Sequence, residues 1–260
     1  MDIVTEPSVY LVGRTQIDQA AVRQFLDDEN ADWVTDGERG TELLSELAGR
    51  VCYMSFGEKQ GRRSNEEYLQ NIISMEHGSV LEHVVWNFVV TGVSRSFSHE
   101  LIRHRAGWAY SQLSQRYVDE ADARFVEPPV IASDPELHAL WLDSVRQSHE
   151  AYRKLSEGLA QRIEREHPEW KRRDKRKKAR EAARSVLPNA TETKIFVSAN
   201  ARALRHFIEY RGAADAEPEI RRVAFAILQI MQREAPSLFG DYRVLELNGA
   251  SSTHTEHRKV

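Results

Sequence analysis

The chain has 260 residues, 41% of them hydrophobic and 29% charged, with a formal net charge of −4. So even a balance gives no global field that would draw it to nucleic acid or to a membrane. A single cysteine, Cys52, excludes an internal disulfide and a cysteine metal cluster. The start, MDIVTEPSVYLV, has no basic n-region, and no stretch reaches membrane-spanning length, so the expectation is a cytoplasmic protein.

In chain order, residues 7 to 13 (PSVYLVG) read as a short strand, 15 to 29 as an amphipathic helix, and about 40 to 50 as a second helix. Cys52 reads as core packing. Ser64 with Glu67 forms a capping box that opens a helix carrying Leu69, Ile72, Ile73 and Met75, with Gly78 placed to close it. Residues 84 to 91 (VVWNFVVT) are rich in β-branched and aromatic side chains and predict a strand. A helix from Ser94 to about Arg105 follows, breaking near Gly107. Pro128-Pro129 stop the next stretch, and 135 to 165 predict one or two long surface helices. A strand at 194 to 198 (KIFVS) precedes a helix from about 200 to 211, stopped by Gly212. Residues 218 to 234 carry Ile220, Val223, Ile227, Ile230 and Met231 on one helical face. The polar tail, 248 to 260, reads as disordered or as a crossing terminus. Helices and strands mix without regular βαβ alternation, which predicts an α+β fold in a single domain over 1 to 260.

Three clusters carry the chemistry. The first is Arg103-His104-Arg105. His99 and His104 cannot grip one metal, because five residues on a helix leave the imidazoles ~140° apart. Cations among the apolar residues Phe97, Leu101 and Ile102 and the uncharged run 106 to 110 instead call for anionic partners, carboxylate or phosphate. The second cluster is Asn200-Ala201-Arg202 with His206 one turn later and Arg211 beyond. The third is EHGSVLEH, 76 to 83. Together they suggest a large anionic ligand held by loops and helix ends. No G-x-G-x-x-G or G-x-x-x-x-G-K-[ST] element follows a strand, so a dinucleotide would not bind by a Rossmann or P-loop mechanism.

With these motifs in order, the chain resembles the flavin-dependent thymidylate synthases, the ThyX family. The family signature is R-H-R, seven residues, then S, ending S-x-R-[YF]. Here Arg103-His104-Arg105 leads to Ser114-Gln115-Arg116-Tyr117, and HGSVLEH, ARSVLP (183 to 188) and NARALRHFIEYR (200 to 211) continue the match. The chain departs from the pattern at one place: eight residues, AGWAYSQL, separate Arg105 from Ser114.

The resemblance implies a mainly antiparallel sheet with mixed helices, a homotetramer whose sites several subunits share, and C5 methylation of dUMP to dTMP. It also implies FAD as cofactor, with NADPH and 5,10-methylenetetrahydrofolate as co-substrates. For the nucleotide it implies Glu100 and Arg103, the loop Gln112, Leu113, Ser114, Gln115 and Arg116, then Arg184, with Arg211 facing the uracil as the catalytic arginine. For FAD it implies His77, Ser79, Arg103, His104, Arg105, Asn200, Ala201, Arg202 and His206, the last standing where many members have asparagine. The longer loop suggests an enzyme that takes UMP as well as dUMP. A reading of another class, nucleic-acid binding through the basic run at 170 to 180, has no RNA-binding module around it.

Overall fold

A computed structural model describes residues 2–247 and 250–260. It contains, in order, β1 (Ile3–Val4), β2 (Ser8–Arg14), α1 (Gln19–Asp28), α2 (Gly40–Tyr53), α3 (Asn65–Ser74), β3 (Val85–Ser94), α4 (Arg95–Leu101), β4 (Trp108–Gln112) and β5 (Phe125–Val126). There follow α5 (Pro129–Ala132), α6 (Pro135–Glu166), α7 (Arg172–Ala183), β6 (Glu192–Asn200), α8 (Ala201–Arg211), α9 (Pro218–Glu234), α10 (Pro236–Phe239), β7 (Arg243–Leu247) and β8 (Ala250–His254). The class is α+β. A four-stranded sheet runs in the order β2-β3-β6-β4, β1 pairs with β5 in parallel, and β7 with β8 is an antiparallel hairpin. No described helix is long and apolar enough to cross a membrane.

The contacts divide the chain into two compact units. One holds residues 1–8, 90–103 and 111–195, and the other 9–89, 104–110 and 196–260. In the first unit Ala123, Phe125 and Val145 form a small buried cluster with Trp141 packed on it, and α6 lies along α7. In the second, α9 buries Ile220, Val223, Ile227 and Met231, as its helical period requires. Leu204, Phe207 and Ile208 of α8 are also fully buried, and α8 packs on α9.

Each unit owns a helix that starts directly from a strand under a side-chain cap. Ser94 ends β3 and accepts from Phe97 N to open α4, and Asn200 ends β6 and accepts from Ala203 N to open α8. Of the predicted capping box the serine half forms, with Ser64 Oγ accepting from Glu67 N at 3.5 Å.

Several sequence expectations are corrected. The helix after Ser94 stops at Leu101 rather than about Arg105, so the R-H-R run is not helical. Arg103 lies in the turn that follows and is exposed, as is Arg105, while His104 between them is buried. The helix before it ends with cap Met75, which is 58% exposed, and Gly78 begins a short 3-10 turn instead of closing that helix. Cys52 is exposed and takes no part in the core. The tail is not disordered where described. Residues 250–254 form β8, Val260 is buried, and Arg205 binds Asp241 with both terminal nitrogens and the carbonyl of His257. Residues 248 and 249 of that expected tail lie outside the described residues.

Candidate functional site

His104 is the centre of an aromatic cluster in the second unit. Its ring lies 5.2 Å from Phe207, 5.9 Å from His206, 6.1 Å from Trp108 and 6.3 Å from Tyr210, centroid to centroid. Arg211 Nε donates to His104 Nε2 at 3.0 Å. A guanidinium can only donate, so Nε2 must carry a lone pair, and the neutral tautomer has its proton on Nδ1. Burial, then Arg211 and His206, push the His104 imidazole down to about 4. The sequence thus supplies a cation, Arg211, whose orientation rests on a histidine kept neutral. The Arg211 guanidinium also lies 4.9 Å over the ring of Tyr210.

The loop after R-H-R is fixed at its turn. Gly107 has φ +73°, and a Cβ there would meet Asn200 Nδ2 at 2.7 Å and Ala203 Cβ at 2.9 Å. The Gly107 carbonyl accepts from Asn200 N at 3.1 Å. Glycine is therefore required twice, by the backbone angle and by the close approach. The next residues, Trp108 and Tyr110, share a face of β4 and stack at 5.8 Å with 7° between their planes. Tyr110 Oη donates to the carbonyl of His104. Trp108 went unnoticed in the sequence, although its i, i+2 spacing with Tyr110 on a strand was the available signal.

The remaining second-unit candidates gather near the start of α8. Ala201 is buried and its N–H donates to Val84 O at 2.9 Å. Arg202 pairs with Glu82 at 2.5 Å and remains 45% exposed. A Cβ on Gly78 would meet Arg202 Nε at 2.9 Å, so the 76–83 segment and α8 come together as the sequence suggests. His77 is half-buried and stacks on Tyr53, while Ser79 and His206 are exposed, with His206 stacked on Tyr210 at 6.0 Å.

The first unit holds the other candidates. Glu100 sits half-buried on α4 and Arg103 is exposed just past it. Gln112 Nε2 donates to Ser98 Oγ at 2.9 Å and Thr193 Oγ1 at 3.1 Å. Leu113 N donates to Lys194 O, and Ser114 Oγ accepts from Arg116 N. Gln115 is buried. Arg116 pairs with Glu181 of α7 at 3.1 Å, and its buried Nε has no hydrogen-bond partner. The basic run is largely pinned to its own unit: Lys175 binds Glu164 and Pro168 O, and Arg180 binds Asp119 and Tyr117 O. Two residues of this unit escaped sequence reasoning. Arg95 is held below its ordinary value first by burial and then by Arg184, while Glu120 acts in the opposite sense. Glu120 is 4% exposed.

A cleft of 970 Å³ lined by Asp36, Glu42, Asn65 and Ser237, among others, contains none of these residues. Open and polar, it lies apart from the cationic chemistry, which we take as the better marker of the site.

The family model "Thymidylate synthase complementing protein" matches residues 34–237. The flavin-dependent thymidylate synthase of Mycobacteroides abscessus is 47% identical over 228 residues, 87% of this chain and 89% of that one. That of Mycobacterium sp. strain KMS is 44% identical over 249 residues, 95% and 94% of the two chains. The chain belongs to the flavin-dependent thymidylate synthase family. It is an enzyme of that family. In fold it is similar to a UMP/dUMP methylase, PolB from Streptomyces cacaoi, whose structure with 5-Br dUMP gives a TM-score of 0.60 at 21% identity over 92% of this chain and 96% of that one. The same protein with 5-Br UMP gives 0.61 at 22% identity, over 92% and 95%.

The eight residues between Arg105 and Ser114 begin in a turn whose Gly107 carbonyl is held by Asn200 N. Asn200 is one of the positions that the resemblance relates to the flavin. In this member of the flavin-dependent thymidylate synthases, the start of the 106–113 loop is therefore fastened to the cap of α8.

Proposed function

We propose that the protein methylates C5 of a uracil nucleotide, converting dUMP to dTMP with 5,10-methylenetetrahydrofolate as carbon donor and NADPH as reductant, through FAD. The donor set suits a dinucleotide with a diphosphate: Arg202 on the first turn of α8, Asn200 at its cap, and Arg103 and Arg105 in solvent, all cations or amides. His77, Ser79, Ala201 and His206 complete that set, and His104, which is buried and accepts from Arg211, would act by fixing its neighbours. The flavin, when bound, supplies the redox chemistry between NADPH and the transferred carbon.

The chain's own residues do the rest. Arg211 would face the uracil and stabilise negative charge developing on the ring oxygens and N3, as an oxyanion hole does. Always protonated, it cannot serve as a base near neutral pH. Arg95 and Arg184, with Arg116 and the loop residues Gln112, Leu113, Ser114 and Gln115, would hold the phosphate, and Glu100 and Arg103 the nucleotide beside it. The homotetramer would let several subunits share these parts. The single observation that carries the reading is the 3.0 Å bond from Arg211 to a neutral His104, since it aims a permanent cation without neutralising it.

Purified protein is expected to be yellow, or to turn yellow with FAD, and to release dTMP from dUMP only with NADPH and methylenetetrahydrofolate present. Colourless protein with no turnover under those conditions defeats the reading. The lengthened loop favours a second, finer reading, in which UMP is also methylated, and parallel assays with dUMP and UMP decide it. Turnover of dUMP with none of UMP leaves an ordinary thymidylate synthase.

A further inference from the structure

The segment 250–260, to which the proposed reaction gives no role, is tied to α8. Thr253 of β8 reaches the end of that helix. Its N–H donates to Gly212 O at 2.8 Å, and its Oγ1 donates to Ile208 O at 2.7 Å. Ile208 O also accepts from Gly212 N at 2.9 Å, the bond that closes the last turn. Helix ends fray because their last carbonyls find no partner further along the helix. Here a strand from elsewhere in the chain, with Thr253 buried, supplies donors at both edges of that turn. Gly212 has φ −85°, an angle open to any residue. A Cβ there would nonetheless overlap Thr253 Oγ1 and lie 2.6 Å from Thr253 Cγ2 and 2.5 Å from Ile208 O. The glycine is therefore demanded by close packing at this turn, not by the backbone angle.

Other residues of the same segment hold the helix nearby. Glu209 accepts from Arg258 Nε at 2.9 Å and from Lys259 N at 3.0 Å. Arg205 donates to His257 O at 3.2 Å and to Asp241, which also accepts from Thr255 Oγ1. All of these residues lie in the second unit. Arg211 stands on the turn between Ile208 and Gly212. Its backbone is thus fixed through Thr253, while its Nε rests on His104 at 3.0 Å. A guanidinium sits at the end of three methylenes, so a shift of the Cα moves the charge, and both ends must be held to keep its aim.

We propose that Thr253 is a positioning residue for Arg211, fastening the last turn of α8 so that the guanidinium meets the uracil ring in one orientation. The proposal rests on the reading above that Arg211 faces the uracil. Thr253 moves no proton and takes no part in bond making; it acts through the backbone of Ile208 and Gly212. Loss of its hydroxyl leaves the N–H bond to Gly212 in place but frees the last turn to fray. A misplacement of about 1 Å can cost ~10²-fold in rate, so losing one of the two bonds is expected to cost about tenfold. The residues related to the flavin at the start of α8, Asn200 to Arg202, lie at its other end and keep their places.

The experiment is steady-state methylation of dUMP by the FAD-loaded protein, well below the melting temperature of every variant, with NADPH and methylenetetrahydrofolate saturating. Thr253→Val keeps the shape and removes the hydroxyl. It should lower kcat about tenfold, with FAD content and the KM for dUMP within about twofold of wild type. Thr253→Ser keeps the hydroxyl and should restore most of kcat. Gly212→Ala, which pushes Thr253 off the turn, should repeat the Thr253→Val loss. Added to Arg211→Lys, Thr253→Val should cost nothing further, because the fork that it aims is already gone. Wild-type kcat in Thr253→Val beside a deep loss in Arg211→Lys overturns the proposal and leaves the reading of Arg211 standing. A Thr253→Val loss that multiplies onto that of Arg211→Lys also overturns it, as does one that Thr253→Ser fails to restore or one that tracks loss of bound FAD. If Thr253→Val does not fold, Gly212→Ala alone and with Arg211→Lys decides by the same two comparisons. Near-normal turnover in Arg211→Lys overturns the underlying reading and the proposal with it.

Discussion

The two capped helices, α4 in one unit and α8 in the other, begin alike and end in opposite electrostatic situations. Both leave a strand under a side-chain cap, Ser94 or Asn200. In the unit of α4, burial and then Arg184 hold Arg95 below its ordinary value, and burial pushes the Glu120 carboxyl toward protonation. The unit of α8 places Arg211 against a buried histidine that is pushed toward neutrality. In both cases burial disfavours the charged form of the neighbour, yet the outcomes differ. A neutral imidazole remains a good acceptor and aims its arginine, whereas a protonated carboxyl offers no counter-charge to the cations around it. In the proposed reaction, the first arrangement would supply a fixed cation for the chemistry.

The strongest test of that contrast is Arg211→Lys. Lysine keeps the charge but has no Nε–H fork to rest on His104, so turnover should fall by ~10²–10³ while FAD colour persists. Near-normal turnover in a folded, yellow variant would remove Arg211 from the chemistry. On the other side, Arg95→Gln should weaken dUMP binding by roughly 10- to 150-fold, the loss of a charge-assisted contact, with kcat at saturation changed far less. A kcat loss at unchanged KM would mean that α4 and α8 do not divide the work in this way.

Deleting Ala106 probes the loop that Asn200 fastens. If the added residue opens the sugar pocket, the deletion should raise dUMP preference over UMP within the ~5- to 150-fold range that an unpaired hydroxyl costs. An unchanged ratio would show that the bulge points away from the sugar.

A smaller effect separates the two titrating neighbours by sign. Stability tied to neutral His104 is complete above 6.5 and is lost as pH falls toward about 4, so wild type and His104→Gln should converge in Tm over that window. Glu120 runs the other way. Its ionisation costs stability as pH rises from 4.5 through about 7, so Glu120→Gln should gain a few degrees of Tm on wild type at pH 8 and little at pH 4.5. Thermal melts across pH 4 to 8 read both, and shifts of the same sign in the two variants would contradict the contrast. The smallest effect expected is that of Cys52→Ala, which should leave turnover unchanged because the thiol is exposed and the mechanism uses no sulfur nucleophile. Loss of turnover in that folded, FAD-bound variant would restore a covalent mechanism.

The sequence by itself determined the α+β class, the family, the capped start of α3, the buried face of α9 and the cationic clusters, because each rests on local spacing or on motif order. Helical period and cap chemistry act within a few residues, so Ser64 and Ile220 to Met231 could be read directly. The end of α4 could not be read, since nothing local stops a helix at Leu101. His104 leaves the helical path to bury its ring against Phe207, which lies over a hundred residues away in sequence. Cys52 and Met75 looked like core residues by type, and only the packing around them left both in solvent. Arg95 and Glu120 carried no motif signal for the same reason. Each becomes unusual only through burial and through the charges that the fold sets beside it, and neither quantity exists until distant segments have met.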